Sequence, residues 1–322
     1  MMAITHDGWV GPDGLEVREV ATPVVGDDQV LIAVHAASVN PADWYVMTGV
    51  PWMLRLGTAL RPPRAAIPGR AVAGHVEAVV GAVTGLRPGD EVMAETNGGG
   101  FAELVAVRAD RVAPKPWRLT FEQASAVPLA GTTALQGLRD VGRATPGHRV
   151  LINGASGGVG TFAVQIASAL GAEVTGVCRT RNVDLVRSLG ANHVIDRTQE
   201  DATASGRRYD VIFDLVGNHT VADLRHALTS DGTLVLSSGH GNRATGPVGR
   251  LLSAMAASPF VPQRLAPLFA RPGRADLVAV TELIETGAVT PVIDRNHKLY
   301  EAADAMRHQG EGQARGKTVI TV

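Results

Sequence analysis

Apolar residues in the first hundred or so positions fall in short runs. These are Val17-Arg-Glu-Val20, Gln29-Val-Leu-Ile-Ala-Val-His35, Val72–Val80 and Glu91-Val-Met93, broken by Gly, Pro and Asp. That texture predicts the strands of a small, mainly β barrel or sandwich. Pro88 and Gly89 centre a hairpin-like connection in Leu86–Val92, and Gly98-Gly-Gly100 precedes a further run, Phe101-Ala-Glu-Leu-Val105. Between Ser38 and Gly69 the pattern lapses into Asn40-Pro-Ala-Asp-Trp-Tyr45, Pro51-Trp-Met-Leu-Arg-Leu56 and Arg61-Pro-Pro-Arg64, which reads as a long loop. Its aromatic residues Trp44, Tyr45 and Trp52 either wall a substrate site or anchor the loop on the core.

From Pro116 the period changes. Thr120-Phe-Glu-Gln123 has the spacing of a capping box, and Leu129–Leu138 continues as helix. Val150-Leu-Ile-Asn-Gly-Ala-Ser-Gly-Gly-Val-Gly160 is then an apolar run entering a glycine turn, and Thr161–Leu170 leaves it as a helix. Strand and helix alternate afterwards through Glu173–Cys178, Asn182–Gly190, His193–Asp196, Asp210–Val216, Ala222–Leu228 and Gly232–Ser237. The alternation predicts a doubly wound parallel sheet with its ligand beyond the strand C-termini. Gly239–Gly249 reads as loop, Arg250–Ala257 and Arg274–Glu285 as helices, Lys298–Arg307 as a helix and Lys317–Val322 as a last strand. The domain boundary is expected near residue 120.

The glycine turn carries the first chemistry. Gly154, Gly157 and Gly160 stand three apart, as a backbone needs to turn sharply, approach a pyrophosphate and pack a helix against a strand. Ser156, Gly158 and Val159 complete a phosphate-binding stretch at the start of a helix, where free N–H groups and the dipole favour an anion. An NAD enzyme sets an Asp or Glu about 20 residues after such a turn to hold the ribose hydroxyls. Here Cys178-Arg-Thr-Arg-Asn182 offers two guanidinium groups, and no acid follows until Asp184. Arg179 and Arg181 therefore favour a 2′-phosphate, hence NADPH, over the alternative that both are solvated residues at a helix start.

Composition narrows the function classes. The chain has 322 residues, 45% hydrophobic and 19% charged, with a formal net charge of −1, which suits two globular domains and argues against a nucleic-acid surface. No basic start precedes an apolar core, and the most apolar window, Phe162–Val177, is broken by Gln165, Gly171 and Glu173, so neither a signal segment nor a membrane span is expected. Cys178 is the one cysteine, which excludes intrachain disulfides and any multi-cysteine metal site and suits a reducing, cytoplasmic compartment.

Val39-Asn-Pro-Ala-Asp43, Pro68-Gly-Arg-Ala-Val-Ala-Gly74, Leu86–Val92, Gly99-Gly-Phe-Ala-Glu103, Leu129-Ala-Gly-Thr-Thr-Ala134, Gly154–Gly160 and Ala314-Arg-Gly-Lys317 follow one another in an order spanning nearly the full length. In this the chain resembles the medium-chain dehydrogenase/reductase superfamily, within it the zinc-independent quinone oxidoreductase-like branch. The resemblance implies a GroES-like catalytic domain over residues 1–120, completed by 290–322, a Rossmann domain over 121–289, a nicotinamide in the cleft, and a homodimer. It also makes Asn40 and Tyr45 candidates for donors or positioning groups, and Thr133, Val216, Ser238, Gly239 and Lys317 for cofactor contacts. Three have a plain structural alternative: Asn40 as a turn residue before Pro41, Tyr45 as a structural side chain and Lys317 as a flank of the last strand. Arg197 stands where relatives often carry tyrosine, and either adds a cation near the phosphate or faces solvent.

Alcohol dehydrogenases of the superfamily place a cysteine near the position of Asn40 and a His-Glu pair where this chain has Arg70 and Ala71. Catalytic zinc needs about three N, S or carboxylate ligands at one open site, so no metal is expected. Without a Lewis acid the chemistry suits acceptors whose charge delocalises onto an oxygen, quinones or α,β-unsaturated carbonyls, stabilised by hydrogen-bond donors. Two alternatives stay open: an alkenal/enone or enoyl-thioester reductase, and a nucleotide-binding sensor or structural protein without turnover. Asp214, at a strand end near the nicotinamide, is expected to be structural.

Overall fold

The structure, a computed structural model, describes residues 1–52, 55, 64–81, 83–237 and 248–322. The chain runs through strands β1 (Met2–Thr5), β2 (Glu16–Glu19) and β3 (Gln29–Ser38), helix α1 (Pro41–Thr48), and strands β4 (Ala71–Val79), β5 (Glu91–Glu95), β6 (Leu104–Arg108) and β7 (Val112–Pro114). Helices α2 (Phe121–Ser125) and α3 (Val127–Leu135) lead to β8 (Arg149–Asn153), α4 (Gly158–Ala169), β9 (Glu173–Cys178), α5 (Val183–Ser188), β10 (His193–Asp196), β11 (Tyr209–Asp214), α6 (Val221–His226), β12 (Leu228–Leu236), α7 (Val248–Ala257) and β13 (Arg264–Pro267). The tail forms α8 (Arg274–Glu285), β14 (Ile293–Lys298), α9 (Ala302–Gly310) and β15 (Lys317–Thr321). No helix among the described residues is long and apolar enough to cross a membrane.

Two compact units result. The first takes Met1–Thr132, Pro272–Glu285 and Pro291–Val322; the second takes Thr133–Arg271 and Thr286–Thr290. Position 120 falls at the start of α2 rather than at this break. The cause is Phe121, whose ring stacks on His35 of β3 with centroids 4.4 Å apart and so commits the helix to the first unit. Thr120 caps α2 as its spacing predicts: its Oγ1 accepts from Gln123 N, and the Gln123 side chain accepts from Thr120 N.

In the first unit a seven-stranded sheet has the order β14-β15-β3-β4-β5-β7, with β6 paired to β3. Its pairings are antiparallel apart from the parallel β14–β15 pair. Ile32, Met47, Val72, Phe101, Met306 and Ile320 meet in one buried cluster, so the tail helix and last strand share the core of the N-terminal strands. This is the mainly β, GroES-like domain. β14, Ile293-Asp-Arg-Asn-His-Lys298, escapes a hydrophobicity reading because it is a polar edge strand.

The second unit is a six-stranded parallel sheet of order β10-β9-β8-β11-β12-β13, the doubly wound Rossmann arrangement. Every residue of β8 after Arg149 is buried, and α4 buries Gly160 through Ala167. Parallel strands covered on both faces need such continuous apolar runs, which is why this half reads more easily from sequence. β13 carries Pro267 and sits at the sheet edge, where a missing N–H breaks no interior ladder.

One expectation is corrected. The segment after Ser38 does not run as continuous loop: Asn40 caps α1 with Pro41 in its first turn, and Gly49 closes it in the left-handed region at φ 60. Trp44 lies against Gly310 of α9, where a Cβ would stand 2.5 Å from its ring, so this aromatic anchors α1. Trp52 is 54% exposed. Most of the Pro51–Leu56 and Arg61–Arg64 stretches lie outside the described residues, as do Ser238, Gly239 and most of the Gly239–Gly249 segment.

Candidate active site

In the second unit the turn after β8 has the backbone its glycines imply. Gly154 sits at φ 92, Gly154 N and Ala155 N both donate to Val177 O of β9 at 3.1 and 3.0 Å, and Gly157 N closes on Gly154 O at 3.0 Å. The glycines divide the labour. A Cβ on Gly160 would stand 2.1 Å from Gly154 O, and one on Gly154 would meet Val216 at 2.7 Å, so both are demanded by packing. A Cβ on Gly157 would meet only Gly154 O at 3.4 Å, an ordinary contact. Gly157 is thus bare backbone at the cap of α4, where the first N–H groups of the helix, including those of Gly158, Val159 and Gly160, have no intrahelical partner. That cradle fits a phosphate.

Ser156 Oγ accepts from Asn182 Nδ2 at 2.8 Å with both residues buried, tying the turn to the loop after β9. Asn182 was not singled out in the sequence, since nothing local marks it. Arg179 follows the last residue of β9 and is half-buried, while Arg181 and Arg197 are exposed. In the parallel register Cys178 stands beside Asp196, and Arg197 N donates to Cys178 O at 2.9 Å. The backbones at Arg179 and Arg197 therefore leave adjacent strands side by side. The buried acid Asp196 is engaged locally: its Oδ1 accepts from Thr198 N and Thr198 Oγ1 at 2.9 and 2.7 Å, and the Thr180 hydroxyl first, then that of Thr198, hold its pKa down. Burial pushes the Cys178 thiol up to about 11, so it is no nucleophile.

On the other side of β8, Asp214 ends β11 fully buried. Its Oδ1 accepts from Asn153 Nδ2 at 2.8 Å and from Val216 N and Gly217 N at 3.1 and 3.0 Å, a structural role as expected. Arg250 of α7 pairs with its Oδ2. Val216 is half-buried beside Gly154. Thr133 is buried near the end of α3.

The first unit gathers a second polar group. Asp43 in the first turn of α1 accepts from Asn40 N at 2.9 Å and from Gly69 N at 3.1 Å. Lys317, the first residue of β15, donates from Nζ to Val39 O at 2.7 Å and to Asn40 Oδ1, and Asn40 Nδ2 donates to Ser38 O at 2.8 Å. All three side chains are buried. Burial pushes Asp43 up to about 6, against hydrogen bonds from Asn40 and Gly69 and the charges of Lys317 and Arg70; burial likewise pushes Lys317 down to about 8, against Asp43. Glu95 at the end of β5 is raised to about 7 by burial, opposed by Arg70 and Arg111. Tyr45 is half-buried, and desolvation raises its phenol.

Of the first-unit candidates, Asn40 and Lys317 are thus brought into contact, and Tyr45 lies on the same helix as Asp43. Sequence reasoning missed Asp43, Glu95 and Arg70 as members of this cluster. For Asp43 the signal was present: Asn-Pro-x-Asp is a helix cap with an acid at the third position.

Residues 26–117 match the alcohol dehydrogenase GroES-like domain family, and residues 189–320 match a family described as zinc-binding dehydrogenase. The chloroplast envelope quinone oxidoreductase homolog of Arabidopsis thaliana is 32% identical, over 99% of this chain and 98% of its own length. The mitochondrial NAD(P)H oxidoreductase RTN4IP1 of Mus musculus is 35% identical over 92% of this chain and 82% of its own. The structure of the quinone oxidoreductase from Coxiella burnetii superposes with a TM-score of 0.87 at 29% identity, covering 100% of this chain and 99% of that one. The chain belongs to the medium-chain dehydrogenase/reductase superfamily, in its quinone oxidoreductase-like branch, and is an NAD(P)H-binding oxidoreductase of that kind.

Proposed function

We propose that the protein is an NADPH-dependent, zinc-independent reductase that passes hydride to a quinone or to the activated double bond of an α,β-unsaturated carbonyl. The observation that carries the cofactor choice is the pairing of Cys178 with Asp196, which sets Arg179 and Arg197 on neighbouring strand ends, with Arg181 two residues on. The acid at that edge, Asp196, ends β10 rather than following β9, where an NAD enzyme sets its ribose-binding carboxylate, and its Oδ1 is bonded to Thr198. Three guanidinium groups favour a 2′-phosphate over two hydroxyls. The glycine turn and the α4 N-terminus would hold the pyrophosphate, with Thr133, Val216, Ser238 and Gly239 toward the nicotinamide.

Bound NADPH supplies the hydride. At the positions that carry zinc ligands in alcohol dehydrogenases this chain has an amide, a guanidinium and a methyl group, in Asn40, Arg70 and Ala71, a donor set unsuited to zinc. The charge left on the acceptor after hydride addition must then be met by hydrogen-bond donors. Asn40 has one amide N–H beyond its bond to Ser38, and Lys317 holds that amide by its oxygen, so we assign Asn40 the donor role and Lys317 a positioning role. The Tyr45 hydroxyl, kept neutral by burial, is a second donor. We place the enzyme in the cytosol as a homodimer.

NADPH oxidation by chelator-treated protein, measured with a quinone, an enone and no acceptor, tests this reading. Turnover that needs an acceptor and survives chelation supports it. Quinone inert and enone turned over would favour the alkenal or enoyl-thioester reductase. Tight NADPH binding with no turnover on any acceptor would favour a sensor.

A further inference from the structure

Arg250 projects from α7 to the C-terminal end of β11, where one nitrogen, Nη2, pairs with Asp214 Oδ2. Its side chain is only 12% exposed, yet Nε and Nη1 are both buried with no hydrogen-bond partner among the described residues. A buried, charged donor left unmade costs more than a typical hydrogen bond contributes, so such groups call for a missing acceptor. Next to it, Asn153 spends Nδ2 on Asp214 and on Asn218 Oδ1 at 2.7 Å, while its Oδ1 is buried without a donor. The ends of β8 and β11 therefore offer surplus guanidinium donors and one surplus acceptor, the latter on Asn153, one residue before the glycine turn.

Strand order says which part of a ligand would meet them. The cations at Arg179 and Arg197 stand on β9 and β10, the glycine turn follows β8, and β11 lies on the far side of β8 in the order β10-β9-β8-β11. A dinucleotide with its adenosine end at the first pair and its pyrophosphate over the turn must carry its nicotinamide half toward β11. We propose that Arg250 binds the nicotinamide-side phosphate of the cofactor, with Asn153 Oδ1 accepting from the adjoining ribose hydroxyl. The assignment rests on the dinucleotide reading above. Asp214 then has a second duty: besides fixing the Val216–Gly217 turn, it holds the guanidinium in place by one nitrogen and leaves the other two for the ligand.

Calorimetry on the full chain with NADPH and with adenosine 2′,5′-bisphosphate tests this, because the second ligand lacks the nicotinamide-side phosphate. Arg250→Met is expected to weaken NADPH about 10- to 100-fold, the scale of losing a buried charge-assisted hydrogen bond to a phosphate, and to leave the bisphosphate affinity unchanged. Arg250→Lys, which keeps the charge beside Asp214 but loses the fork, should fall between. Equal weakening of both ligands would make Arg250 a prop of the fold and overturn the assignment. Unchanged NADPH affinity with reduced turnover would move the contact to the acceptor and overturn it equally. If the unaltered protein bound neither ligand, the dinucleotide reading itself would fall first.

Discussion

Lys317 Nζ donates to the side-chain oxygen of Asn40, so the first residue of the last strand fixes the cap of the first helix across 277 positions of sequence. The ammonium also takes Val39 O, and the carboxylate of Asp43 lies near enough to oppose its loss of charge. Removing it strands three buried polar partners. Lys317→Met should lower the unfolding free energy by about 3 kcal/mol in urea titration, since breaking a buried charge cluster at one member leaves the rest uncompensated. A loss below about 0.5 kcal/mol would mean the pair is solvated in solution.

The same unit should respond to pH in a defined direction. Asp43 and Glu95 have folded pKa values raised to about 6 and about 7, above those of the unfolded chain, so the folded state holds their protons longer. Their contribution to stability is complete below the unfolded values and is lost as pH rises through the folded ones. Glu95→Gln should therefore be near neutral at pH 4.5 and stabilising on the order of 2 kcal/mol at pH 8, relative to the unaltered chain. A pH-independent difference in denaturant midpoints between the two would contradict the burial of that carboxyl.

Two glycines of the turn make a controlled pair. Gly160→Ala drives a methyl to 2.1 Å from Gly154 O and should abolish nucleotide binding and destabilise the second unit by more than about 3 kcal/mol. Gly157→Ala meets nothing closer than 3.4 Å at a φ of −82, so its fold should be unharmed. If a pyrophosphate covers that bare backbone, Gly157→Ala still weakens NADPH binding, which calorimetry on a normally folded variant would isolate.

Asp214 should be among the costliest polar positions. It is fully buried, satisfies Asn153, Val216 and Gly217, and neutralises Arg250. Asp214→Ala is expected to cost about 3–5 kcal/mol by leaving a buried guanidinium without its counter-ion. Thermal unfolding of the single variant against the double variant with Arg250→Met should recover part of that loss, and an additive double would contradict the pairing.

The second unit was legible because its physics is local. Continuous apolar runs, a three-residue glycine spacing and two arginines after a strand each have one cheap structural reading, and the strands from Val150 to Asp214 appear where expected, while β12 starts at Leu228, four residues before the expected Gly232. The first unit was less so. The stretch after Ser38 looked like loop because Pro41 and Gly49 punctuate it, yet both serve a helix, one in its first turn and one closing it. Its buried polar cluster joins Asn40 to Lys317, a contact made by sheet closure across 277 positions and invisible to any window of sequence. Asn182 and Arg250 share that limit, since what distinguishes them is a partner, or a missing partner, far along the chain.

The account depends most on guanidinium groups at the β9 and β10 ends gripping a 2′-phosphate. Calorimetric titration of NADPH and NADH into the unaltered chain and into Arg179→Ala/Arg181→Ala measures it directly. The expected result is a preference for NADPH of at least about tenfold that collapses in the double variant, with NADH affinity unchanged. Equal affinity for the two nucleotides in the unaltered chain, or a preference indifferent to both arginines, would contradict it.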